Sequence, residues 1–138
     1  MQAVQVQYFL RRARDFFKGM DLLKDDLAGY RYSSAMLGIH SAISYCDAIR
    51  TGLGSKTLSS EDHHTAVTDL RFQLAARRFD AGVGTDRLAR LLGCKGKIAY
   101  GPIESGLDFG RIVQDALRFA AWAESTGKKL RIEGWRDE

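Results

Sequence analysis

Three histidines carry most of the chemistry that this sequence could perform. His63 and His64 follow Asp62 directly, and His40 stands apart on an earlier segment. An imidazole changes charge near neutral pH, so histidines beside an arginine can shuttle a proton or hold a phosphate. Arg71 lies two helical turns beyond His63, and Arg31 precedes His40. His40, His63, His64 and Arg71 are therefore the candidate catalytic residues, with Arg31 as a second arginine. His40 borders an apolar stripe and would face Asp47 or a histidine of the third helix.

A metal is not expected at these positions. Neighbouring histidines on a helix point about 100° apart and do not share one ion. Cys46 and Cys94 are isolated in apolar surroundings, which suits buried free thiols rather than ligands. No cofactor motif stands out either. Gly52-Leu53-Gly54-Ser55-Lys56-Thr57 resembles a phosphate loop, but Ser55 separates the glycine from the lysine and a helical pattern precedes it. It reads as a helix terminus, as does Gly82-Val83-Gly84.

Basic residues cluster at Arg11, Arg12, Arg14 and Lys18, at Arg77 and Arg78, and at Arg87, Arg90, Lys95 and Lys97. On one face they could follow a phosphate backbone. Asp15, Asp21, Asp25, Asp26, Asp80 and Asp86 interleave with them, so a solvated face of mixed pairs is the default. A net charge of +4 permits an anionic partner without requiring one.

The elements that must position these groups are helices. Phe9, Ala13, Phe16, Met20, Leu23 and Leu27 recur at steps of four and three, which predicts a first helix over about 4–27. Tyr32, Met36, Ile39, Ile43, Cys46 and Leu53, flanked by Ile49, predict a second over about 31–52. The break at Ala28-Gly29-Tyr30 folds the two antiparallel. A third helix starts near Ser60, capped by Ser59, and presents Val67, Leu70 (or Phe72), Leu74 and Phe79. Thr85 caps a fourth that buries Leu88, Leu91 and Leu92 and ends near Gly93–Gly96. After Pro102 a fifth covers about 106–126, with Phe109, Ile112, Val113, Ala116, Phe119, Ala120 and Ala123 inward.

The polar tail of 128–138 is expected to pack little, with Trp135 either tucked back or in solvent. The 138 residues thus form a single domain, an all-α, up-and-down bundle of four or five helices. No segment has the apolar run of a membrane span, and no cleavage site of a signal peptide is present, so no membrane association and a cytoplasmic location are expected. Aromatic residues off the main stripes (Tyr8, Phe17, Tyr30, Tyr45 and Trp122) suggest a subunit interface.

The ordered set of motifs resembles the HEPN family, named for nucleotide binding in higher eukaryotes and prokaryotes. Phe9-Leu10-Arg11-Arg12-Ala13-Arg14-Asp15-Phe16 is similar to its first helix, and Tyr32 through Ala42 to its second. His63 or His64 before Asp69-Leu70 resembles its third. Ile98-Ala99-Tyr100-Gly101 and Asp115 through Ala120 resemble its tyrosine turn and last helix. The resemblance implies a helical bundle, commonly a homodimer, that binds nucleotide or RNA. It also implies a minimal nucleotidyltransferase as partner in a toxin–antitoxin-type pair.

Nuclease members carry an Arg, four to six residues, then a His. Here eight residues separate Arg31 from His40, and Arg118 has no following His. The expectation is a non-catalytic binding module. The alternatives are a metal-independent ribonuclease with a displaced His/Arg site, built from His40 or His63/His64 with Arg71 or Arg31, and a purely structural protein-interaction bundle.

Overall fold

The computed structural model describes residues 2–56, 62–101 and 106–137. Among these it holds five α-helices and no strand: α1 (Gln2–Leu23), α2 (Leu27–Gly52), α3 (His63–Ala76), α4 (Gly84–Tyr100) and α5 (Phe109–Lys129). No helix among the described residues is long and apolar enough to cross a membrane.

A 3₁₀ turn at Lys24–Asp26 joins α1 to α2, and the Asp26 carboxylate accepts the Gly29 N–H at 3.1 Å. Tyr30 leaves the helical region (φ −130°, ψ 28°) and kinks the first turn of α2. The reversal thus begins slightly before the expected break. Ser41 Oγ donates to the Ala13 carbonyl at 2.8 Å, and the Gln2 side-chain amide donates to the Thr51 carbonyl at 2.6 Å. Partners that ascend one helix while descending the other make the pair antiparallel, as expected.

α2 is the hub of the bundle. Gly38 lies so close to α5 that a Cβ there would sit 2.9 Å from that of Ala116. Tyr45 reaches Glu124 further along, so α2 and α5 run parallel. α4 is antiparallel to α5, with Arg90 opposite Asp115 and Gly84 under the Trp122 ring.

α3 departs from a strict up-and-down order. Arg50 meets Asp69 and Leu53 meets Arg77, so α3 runs alongside α2 in the same direction. It therefore begins back beside the middle of α2. That placement carries His63 towards His40.

Burial corrects the expected face of α1. Val6, Leu10, Ala13 and Met20 are buried, whereas Phe9, Phe16, Leu23 and Leu27 are only half-buried. The spacing favours the large rings as core, but the smaller aliphatic stripe one step round the helix fits the close approach to α2. In α2, Ile39, Cys46 and Ile49 are buried, as is Leu53 just past its end; Met36 and Ile43 are half-buried, and Tyr32 is exposed. Val67, Leu70 and Leu74 of α3 face inward, and Phe72 is 68% exposed. Leu88, Leu91 and Leu92 of α4 and the expected α5 stripe are buried, except for the half-buried Phe109.

Helix boundaries also shift. α3 starts at His63, with Asp62 as its cap accepting the Thr65 N–H at 2.7 Å; Ser59 and Ser60 lie outside the described residues. Thr85 is buried within α4 rather than capping it, and α4 continues through Gly93 and Gly96 to Tyr100. Pro102 also lies outside the described residues.

The tail folds back instead of trailing. α5 extends to Lys129; Ile132 then packs onto Gly52, and the Trp135 ring lies against Gly127. Gly134, with φ +92°, brings the chain against the Ala3 carbonyl, a conformation and an approach that a side chain would oppose. Two missing Cβ atoms, at Gly52 and Gly127, make the notches that seat this short segment.

Candidate functional site

His40 projects from α2 and is half-buried, its ring 5.5 Å from that of Phe16 on α1. His63, at the start of α3, lies within electrostatic reach of it. Lys95 of α4 acts on both histidines, and Arg12 of α1 acts on His40. Three other helices thus each place a basic group within electrostatic reach of His40.

The electrostatics follow from that convergence. Burial is the largest influence on His40 and lowers its pKa below 6.5, and the charges of Lys95, Arg12 and His63 lower it further. His63 is lowered by burial and by Lys95, against a smaller opposing pull from Asp62. Asp62 itself is held low, first by the Thr65 N–H that it caps. Arg12 and Lys95 form no ion pair among the described residues. Arg12 instead lies over the Phe16 ring, 5.7 Å from its centroid.

His63, His64, Val67 and Arg71 line a cleft of about 230 Å³ between α3 and α4, closed on the far side by Ala89, Leu92 and Gly93. Residues 63, 67 and 71 are spaced by four, which stacks them along one helix face. Arg71 is held there by α4. Its Nε donates to Thr85 Oγ1 at 3.2 Å and its Nη2 to Asp86 at 2.9 Å. The four candidates therefore fall in one neighbourhood, with His64 and Arg71 at its exposed side.

Arg31 does not join them. Its guanidinium lies over Tyr32 (5.6 Å) and Phe109 (5.8 Å), at the other end of α2. Asp47, an expected neighbour of His40, sits beside Arg50 at 3.8 Å. Among the described residues no cluster of His, Cys, Asp and Glu could hold a metal ion. Cys46 is buried and Cys94 half-buried, both as free thiols.

Several members of the basic clusters are engaged within the chain. Arg14 is bound by Glu124, Arg90 by Asp115, and Arg77 by the Leu53 carbonyl and Gln73. Sequence reasoning missed Lys95 and Arg12 as members of the histidine site. The signal for Arg12 was present in Tyr8, Arg12 and Phe16, spaced by four. Lys95 depends on how α3 and α4 pack, which no local pattern encodes.

His40 and His63, both held below the ordinary imidazole value, lie within reach of the Lys95 charge, and Arg12 acts on His40 as well. Such a set can bind a phosphate, or transfer a proton to or from a group held next to one. Comparisons with models of protein families, with curated proteins and with solved structures give no match.

Proposed function

We propose that this chain is a HEPN-like helical module that binds single-stranded RNA through its backbone phosphate at the His40–His63 site. The carrying observation is that His63, Lys95 and Arg12, from three other helices, all act on His40, with Asp62 the only carboxylate among the described residues that acts on either histidine. A phosphate placed there gains two cations at once. It also raises the affinity of both imidazoles for protons, so that binding tightens as pH falls. In this reading the protein works as a homodimer alongside a nucleotidyltransferase-type partner.

Fluorescence anisotropy of a labelled single-stranded RNA tests the proposal. Binding should weaken with salt, since phosphate contacts release counterions. Replacing Lys95 by Glu should weaken it further. An affinity indifferent to both changes contradicts the reading.

A second reading has its own observation. Two histidines on facing helices, both neutral near pH 7, could divide the roles of base and acid in cleavage at the ribose 2′-hydroxyl, with Lys95 stabilising the phosphorane charge. Incubating RNA with the protein in the presence of a chelator and sizing the products separates the two. Cleavage lost in His40→Ala or His63→Ala supports an enzyme; intact RNA with retained binding supports the module.

A further inference from the structure

The α1 face that carries Arg12 continues beyond the histidine site. Tyr8, Arg12 and Phe16 lie one above another along the helix. The Arg12 guanidinium is 5.6 Å from the Tyr8 ring and 5.7 Å from the Phe16 ring, and its Nη1 donates to the Tyr8 hydroxyl at 3.1 Å. Phe16 in turn touches His40. An unbroken ladder of ring, guanidinium, ring and imidazole therefore leads out of the site.

The ladder ends at a groove. Tyr8 is 56% exposed, and Phe9 meets it edge to face at 5.4 Å. Beside the two rings opens a space of about 600 Å³, lined otherwise by Val4, Gln5, Ser55 and Lys56. Among the described residues its lining contains a cation and no carboxylate. Asp15, the nearest acid along this part of α1, lines a different cleft with Arg11 and Arg136.

We propose that this groove is a base-stacking subsite, in which a nucleobase of a single strand lies against Tyr8 while the backbone follows Arg12 to the histidines. The proposal rests on the RNA-binding reading above and specifies how the strand lies. An exposed ring offers a face to any unpaired base, and cations beside it answer the phosphates. A duplex keeps its base faces stacked and cannot use the subsite. From Tyr8 to Phe16 the helix rises about 12 Å, so a ligand spanning both ends needs several nucleotides.

The test compares a short oligouridylate, followed by anisotropy, with uridine monophosphate, followed by chemical-shift changes. The proteins are the wild type, Tyr8→Ala, Tyr8→Phe and Lys95→Glu. Tyr8→Ala should weaken the oligonucleotide roughly tenfold and the mononucleotide much less, since one stacked base is lost. Tyr8→Phe, which keeps the ring, should bind like wild type. Lys95→Glu should weaken both ligands.

Oligonucleotide binding by Tyr8→Ala equal to wild type, with Lys95→Glu impaired, overturns the subsite and leaves the phosphate reading standing. Equal losses for both ligands in Tyr8→Ala overturn it as well. A wild-type protein that binds neither ligand overturns both ideas together.

Discussion

Glu124 and His40 are both half-buried titratable groups facing α1, and they are treated in opposite ways. Around Glu124 every donor has its acceptor. Arg14 donates two hydrogen bonds at 2.8 Å, the Tyr45 hydroxyl one at 2.7 Å and the Trp135 indole one at 3.2 Å. Burial pushes Glu124 upward, but the Arg14 and Tyr45 hydrogen bonds outweigh it and hold the carboxyl low. Tyr45 is driven far up, by burial first and by Glu124 second. Around His40 the neighbours Lys95, Arg12 and His63 are all basic, and none of them answers the others. The first arrangement ties α1, α2, α5 and the tail into one body. The second has electrostatic capacity left over, which is what a ligand site requires.

The largest expected effect comes from opening a closed cluster. Asp69 accepts from Arg50 Nε at 2.7 Å, and the Arg50 side chain is 2% exposed. Asp69→Ala should cost about 3 kcal/mol in chemical denaturation, because it removes a closely hydrogen-bonded carboxylate from a buried guanidinium. Glu124→Ala should cost less, about 2 kcal/mol, since that carboxylate is partly solvated. It should also leave RNA affinity unchanged. A large loss of binding there would erase the contrast between the two regions.

The open cluster should respond in reverse. Lys95→Glu is expected to lower RNA affinity roughly tenfold while leaving thermal stability equal or higher, because it relieves repulsion among like groups. The smallest effect concerns pH. His40 and His63 are held below their ordinary value of 6.5, so as pH falls the unfolded chain takes up protons first. Their contribution to stability is complete above pH 6.5 and lost as pH drops from there towards the lowered values. Glu124, held below 4.5, contributes above that value and fails only as pH falls through its lowered value. Thermal melts on either side of pH 6.5 should therefore show a slope that disappears in the His40→Gln, His63→Gln double variant.

Much of this contrast was legible in the residues. Five helices and the inward faces of α3, α4 and α5 follow from spacing. The face of α1 did not, because Phe9 and Phe16 carry more apolar surface than Val6 and Leu10. Periodicity cannot know that Phe16 is wanted half-exposed beneath Arg12 and against His40. The docked tail was hidden for another reason. It depends on Gly52 and Gly127, whose missing side chains become notches only after α2 and α5 are in place. The direction of α3 rests on the Arg50–Asp69 contact, a long-range pairing that composition does not reveal.

The central claim is that a phosphate sits between His40 and His63. Its most direct test is an NMR titration of the imidazole Cε1–H resonances with and without single-stranded RNA. The expected result is an upward pKa shift for His40 and His63 on adding RNA, abolished in Lys95→Glu. Unchanged titration of both histidines with RNA bound would contradict the claim and move the binding surface elsewhere.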